Sequence, residues 1–296
     1  MDQKMKLGVI GSPIEHSRSP EIHYEFAAQF DLNISFEKYL VEKNECIDWV
    51  KDFFANMGSG LSVTLPLKEV VLGAADEISE RALQAGAANM LRLRGNKIFA
   101  DCTDGIGLVN DFKNNKIEIT DKTILVIGAG GASRGILPSL LNEDPKQVIV
   151  ANRTPEKSFK LVSEIQETSG LQMKSSILIP SGLSLKGIDF NTFDIVINAT
   201  SISTSKELTL DIDKAIFNKA SVALDLYYSQ SDTLFMKMAK DSNVHTVLDG
   251  WGMLVHQAAA SFSQWSGFNP ETKEALKSRR DSVSYTHLRA HETKSY

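Results

Sequence analysis

The apolar run Thr123–Ile127 leads directly into Gly-Ala-Gly-Gly-Ala-Ser at 128–133, and a helical pattern follows from Arg134 to Leu141. A strand, a glycine turn and a helix start in that order can hold a pyrophosphate. Gly128 and Gly130 let the backbone turn sharply and approach the phosphates, whose charge then meets the unpaired N–H groups opening the helix. Gly131 and Ala132 complete the expected contacts of this turn. The next strand, Gln147 to Ala151, ends in Asn152-Arg153-Thr154, close to where an NAD site places an acid on the ribose 2′-hydroxyl. No acid stands there. Arg153, with Lys157 a few residues on, offers cationic donors suited to a 2′-phosphate, so the expected cofactor is NADP. The alternative is that Arg153 is an ordinary solvated arginine.

Nicotinamide chemistry also needs a proton donor, because hydride delivered to a ketone leaves developing alkoxide charge. A lysine beside a carboxylate can serve. Lys68 closes SVTLPLK, just beyond a strand that ends in Pro66, and Asp104 lies in DCTDGIG, after a strand and before the glycines that let the chain cross onward. If the two converge on a cleft, the carboxylate orients the ammonium and bonds the substrate; otherwise each is a member of a surface ion pair. A third fragment, GSPIEHSRSPEIH from Gly11 to His23, puts Ser17 and Ser19 on one loop before a helix beginning near Pro20. Hydroxyls at a helix start can bind a carboxylate. Equally, one of these serines can simply cap the helix.

The elements that must position these residues alternate from the start of the chain. Leu7 to Ile10, Ile34 to Val41 and Leu61 to Leu65 read as strands, with helical patterns at Glu21 to Phe30 and Cys46 to Met57 between them. This is the βαβ rhythm of a sheet covered by helices. A helical region is expected from Pro66 to about Gly86, then a hairpin of Asn89 to Arg94 and Lys97 to Asp101 turning at Gly95-Asn96. A first α/β unit, 1–104, would end there. A linking helix then leads to a doubly wound Rossmann-like unit, 105–247, with strands at Ile124–Ile127, Val148–Ala151, Ile195–Asn198 and Val222–Leu226. The amphipathic segment Met253 to Trp265, within 248–277, is long enough to return to the first unit.

Length and composition set the bounds. A chain of 296 residues suits two ordinary domains, and 42% apolar with 23% charged residues is normal globular composition. A formal charge of -5 gives no electrostatic case for nucleic acid, so the expected partner is a small molecule and the expected assembly a monomer or homodimer. Cys46 and Cys102 are too few for a disulfide framework or structural zinc. The histidines His16, His23, His245 and His256 share no ligand spacing, and no metal is expected. His16 could still line the pocket. Trp251 and Trp265 flank the last amphipathic segment and are expected as core anchors. The polar opening residues are unlike a signal peptide and no apolar stretch reaches spanning length, so a cytoplasmic location with no membrane partner is expected. From about Ser278 to Tyr296 the apolar periodicity is lost, and the tail, with His287 and His291, reads as a foreign or disordered extension.

Taken in order, GSPIEHSRSPEIH, SVTLPLK, GAAN, DCTDGIG, GAGGAS, NRT, NATS, DLYY and GWGMLVHQAAASFSQWSG resemble the shikimate dehydrogenase family over residues 6 to about 277. The resemblance implies NADPH-dependent reduction of 3-dehydroshikimate to shikimate in aromatic amino-acid biosynthesis. It implies a catalytic pair at Lys68 and Asp104, and substrate contacts at Ser17, Ser19, Thr64, Asn89, Tyr228 and Gln257. It further implies that Gly250 lies by the nicotinamide and that the final helices rejoin the first domain. The chain departs from the family pattern at Ser62, Met90 and Cys102, expected around the substrate pocket, and at Ser203 and Gln230. Such changes can redirect specificity. They leave open a relative acting on quinate, aminoshikimate or another cyclic hydroxy acid. A non-catalytic NADP sensor would have no need of the lysine–aspartate pair.

Overall fold

A computed structural model describes residues 4–168, 177–200 and 212–278. Ser203 and the tail after Ser278 lie outside the described residues. The first half runs β1 (Met5–Gly11), α1 (Ser19–Ala28), β2 (Ile34–Leu40), α2 (Cys46–Ala55), β3 (Gly60–Val63), β4 (Glu77–Ile78), α3 (Glu80–Ala85), β5 (Met90–Arg94) and β6 (Lys97–Asp101). These strands form one mixed sheet in the order β2-β1-β3-β5-β6-β4, with β5 antiparallel to both β3 and β6. Helix α4 (Asp104–Asn114) leaves this sheet.

The second half runs β7 (Thr123–Ile127), α5 (Gly131–Leu141), β8 (Gln147–Asn152), α6 (Pro155–Thr168), β9 (Leu178–Gly182), β10 (Ile195–Asn198), β11 (Val222–Asp225), α7 (Leu234–Asp241) and β12 (Thr246–Asp249). Its sheet is wholly parallel, in the order β12-β11-β10-β7-β8-β9. Every residue of β7 and β10 is buried, as expected of parallel strands covered on both faces. The strand order reverses between β7 and β10. The crevice at their carboxyl ends is where a doubly wound sheet takes a ligand.

Helix α8 (Trp251–Ser266) and α9 (Lys273–Lys277) return to the first sheet. Val255, Ala258 and Phe262 of α8 share one core with Leu7, Val9 and Phe26, whereas Met253 belongs to the core beneath the second sheet. Trp251 donates its indole N–H to the Ala275 carbonyl, and Trp265 donates to Leu91 at 3.0 Å, so both act as anchors. A Cβ on Gly107 would lie 2.6 Å from the Met253 carbonyl oxygen, so α4 and α8 cross backbone against backbone. Among the described residues no helix is long and apolar enough to cross a membrane.

The continuous helical region expected from Pro66 to Gly86 does not form. A 3-10 turn at Val70–Ala74, the short β4 and α3 take its place. The cause is polar. The Asp76 carboxylate accepts the Ile98 amide at 2.8 Å, and the Asp76 and Ser79 amides donate to Ile98 and Ala100, which draws the segment onto the hairpin as an edge. The Ser79 hydroxyl then caps α3 by accepting from Ala82. Strands β9 and β12 were also not foreseen. Both are edges, and β9 carries Pro180, a residue an edge strand tolerates and a central one does not.

Candidate active site

Strand β3 ends at Val63, and a tight turn follows in which the Leu67 amide donates to the Thr64 carbonyl. The Lys68 carbonyl accepts from Ala88 at 2.8 Å, which fixes the lysine's backbone against the segment leading into β5. Its Nζ donates to Asp104 Oδ2 at 2.5 Å. The two side chains are 13% and 5% exposed, so this is not a surface ion pair. Asp104 opens α4, where the helix dipole favours a carboxylate.

The other carboxylate oxygen is also held. Asn89 Nδ2 donates to Asp104 Oδ1 at 3.0 Å and lies within bonding distance of Gln257 Oε1 and Thr103 Oγ1. Asn89 Oδ1 accepts the Thr103 amide at 2.7 Å, which settles which way the side-chain amide points. Gln257 sits on α8 and donates to the Leu254 carbonyl. Ser261, one turn further along, meets the Thr103 hydroxyl at 3.0 Å. The end of the hairpin, the start of α4 and the middle of α8 are therefore tied together by buried polar groups around the lysine–aspartate pair.

Helix α5 presses on this cluster from the second unit. A Cβ on Gly131 would lie 3.7 Å from Lys68 Cβ, and one on Gly135 would lie 2.6 Å from Asp104 Oδ2. The glycine turn thus adjoins the pair. Gly128 itself has φ +112°, its carbonyl accepts the Ser133 hydroxyl, and a Cβ there would crowd the Ala199 carbonyl beyond β10. Around Gly130 the space is open, and α5 starts there with no side-chain cap. Ala132 stands in its first turn. Open space over uncapped helix amides fits a phosphate.

At the end of β8, Asn152 donates to the Thr154 carbonyl, while Arg153, Thr154 and Lys157 are exposed. Among the described residues neither Arg153 nor Lys157 has an acidic partner, which fits a dianionic group placed beside them. Gly250 follows β12, at the other edge of the sheet from β9. Its amide donates to Tyr227, and a Cβ would lie 2.1 Å from the Leu226 carbonyl oxygen.

The serine loop follows β1, whose last residue, Gly11, lies against Thr64. The Ser17 hydroxyl donates to the Ser19 hydroxyl at 3.2 Å and accepts the Ser19 amide, the first of α1, at 3.3 Å, so it satisfies one donor at the helix start, while Arg18 at the N-cap position makes no side-chain cap bond. Tyr228 donates to the His16 carbonyl, which joins the loop to the second unit, and burial pushes its phenol pKa up. Arg18 stacks its guanidinium over Trp251 at 5.6 Å.

The departures expected around the substrate pocket are placed in the interior. Ser62 and Met90 face each other in register across β3 and β5. Cys102 turns its sulfur toward the Gly135 carbonyl, and burial pushes its thiol pKa up to about 12. His23 is enclosed and stacked on Phe36, its pKa lowered to about 3 by burial, so it is a neutral core residue. No cluster of three or more potential metal ligands occurs among the described residues. Thr103, Ser261 and Gly135 were missed. The visible signals were the position of Thr103 beside Asp104 and a glycine one turn beyond Gly131 in a helical pattern.

Three family models match the chain. "Shikimate dehydrogenase substrate binding domain" covers residues 9–91, "Shikimate / quinate 5-dehydrogenase" covers 111–215, and "Shikimate 5'-dehydrogenase C-terminal domain" covers 250–278. The shikimate dehydrogenase (NADP(+)) of Colwellia psychrerythraea is 40% identical over 275 residues, 93% of this chain and 96% of that protein. A shikimate dehydrogenase crystallised in complex with NADP+ superposes with a TM-score of 0.85 at 30% identity, over 95% of this chain and 96% of its own. The Thermus thermophilus shikimate 5-dehydrogenase, in complex with NADP(H) and shikimate, gives 0.81 at 27% identity, over 94% and 99%.

Proposed function

The chain belongs to the shikimate dehydrogenase family, and we propose from that membership the residues by which it reduces 3-dehydroshikimate to shikimate with NADPH. It is an NADP-dependent oxidoreductase. The observation that carries the site reading is the nearness of the cofactor turn to Lys68, whose ammonium is held by Asp104: a Cβ added to Gly131 would lie 3.7 Å from the lysine stem. NADPH bound at that turn supplies the hydride. As the ketone carbon is reduced, the Lys68 ammonium donates a proton to its oxygen, and the neutral amine then regains a proton from water. Asp104 holds the ammonium in place and accepts a substrate hydroxyl. Asn89, Gln257 and Thr64 line the ring hydroxyls, and Ser17, Ser19 and Tyr228 bind the carboxylate. The turn residues Gly128, Gly130, Gly131 and Ala132 bind the phosphates, Asn152, Arg153, Thr154 and Lys157 the adenosine 2′-phosphate, and Gly250 flanks the nicotinamide.

The deciding assay follows nicotinamide absorbance with the purified protein, offering NADP+ or NAD+ with shikimate, quinate or aminoshikimate. Turnover of shikimate with NADP+ is expected to lead. A clear preference for quinate or aminoshikimate would overturn the substrate, and a preference for NAD+ would overturn the role of Arg153.

Two further outcomes test the binding residues. Arg153→Ala is expected to weaken NADP+ but not NAD+, because a charge-assisted contact contributes about 1.5 to 3 kcal/mol, or about tenfold and more in Kd. Equal losses for both cofactors would show that Arg153 does not read the 2′-phosphate. Replacing Ser17 and Ser19 together by Ala is expected to raise KM for shikimate while NADP+ affinity stays intact. An unchanged KM would leave the paired hydroxyls as local loop structure.

A further inference from the structure

One turn beyond Gly131, Arg134 projects from α5 with only 12% of its side chain exposed. Its Nη2 is bonded to Glu164 of α6, within the cofactor-binding half. Its Nε stands 3.7 Å from the carboxylate of Glu69, the residue directly after Lys68. Its Nη1 reaches the end of α3, where a Cβ on Gly86 would lie 3.0 Å away and the backbone takes the left-handed φ of +59°. A weaker tie lies nearby, with the Thr168 hydroxyl of α6 donating to the Gln84 carbonyl of α3. From the helix that carries the cofactor turn, one guanidinium therefore reaches the turn that carries the lysine, helix α6, and the first unit's edge.

We infer that Arg134 is a positioning residue for hydride transfer: it latches the Lys68 turn to the cofactor helix across the cleft and so sets the proton donor against the cofactor site. The planar, multiply donating guanidinium suits three neighbours at once in a way a point charge does not. Its carboxylate partners are 56% and 37% exposed, so the pairs add little to global stability and the latch should register in turnover instead.

The inference rests on Lys68 being the proton donor proposed above. The test compares Arg134→Met, which keeps the stem, with Arg134→Lys, Glu69→Gln and Lys68→Met. Arg134→Met is expected to lower kcat for shikimate oxidation about ten- to a hundredfold, the scale of a misplacement of about 1 Å, with the Kd for NADP+ and the Tm essentially unchanged. Glu69→Gln should lower kcat in the same direction, and the Arg134→Met/Glu69→Gln double variant should lose less than the product of the two losses. Arg134→Lys should recover part of the turnover. An unchanged kcat in Arg134→Met, a loss that follows NADP+ affinity or Tm, or multiplicative losses in the double variant would each overturn the latch. Turnover surviving in Lys68→Met removes the premise. Turnover lost there but retained in Arg134→Met removes the latch alone.

Discussion

Lys68→Met is expected to cut kcat by about 10² to 10⁴, or roughly 2.7 to 5.5 kcal/mol in the barrier, the usual contribution of a positioned proton donor. Methionine keeps an unbranched stem where Lys68 packs beside Gly131, so the cofactor turn loses no neighbour. Affinity for NADP+, read from quenching of protein fluorescence, should stay near that of the unaltered protein. Single-turnover measurements should place the loss in the chemical step rather than in product release. Near-normal turnover would assign protonation to another group and overturn the role proposed for the pair.

Asp104→Asn should be comparably damaging for a different reason. The carboxylate accepts from two donors, Lys68 on Oδ2 and Asn89 on Oδ1. An asparagine has one acceptor oxygen, so its NH2 group would face either the ammonium or the Asn89 amide, donor against donor. Only 5% of the side chain is exposed, and solvent cannot relieve the mismatch. Both kcat and KM should suffer, with kcat/KM falling on the order of 10² or more. The Lys68→Met/Asp104→Asn double variant should lose far less than the product of the single losses, because residues that act as a unit are non-additive. A fully multiplicative result would mean that the two act independently.

What the sequence reveals of this site follows from what is local. The glycine turn, the strand before it and the helix after it are consecutive, so β7 and α5 were legible, as were the hairpin and the two half-motifs holding Lys68 and Asp104. The 66–86 segment was misread because its fate depends on Asp76 and Ser79 bonding to a hairpin about twenty residues later, and apolar periodicity contains no such term. Cys102 could be seen to differ in kind beside Asp104, but its direction could not. The neighbour that receives it, Gly135, comes from the other unit. For the same reason Arg134 looked like an ordinary helix residue until Glu69 and Glu164 were both seen beside it.

The return of α8 to the first sheet bears on how the protein is made. Leu7, Val9 and Phe26 finish their core only against Val255, Ala258 and Phe262. Ribosomes add about 5 to 20 residues per second, so roughly eight to thirty seconds separate the emergence of β6 from that of α8. During that interval the nascent amino-terminal half presents an uncovered aromatic and aliphatic face, the kind of surface that chaperones hold and that aggregates at high expression. The cofactor-binding half, whose sheet needs nothing from α8 for its strand pairing, can consolidate first even though it is synthesised second.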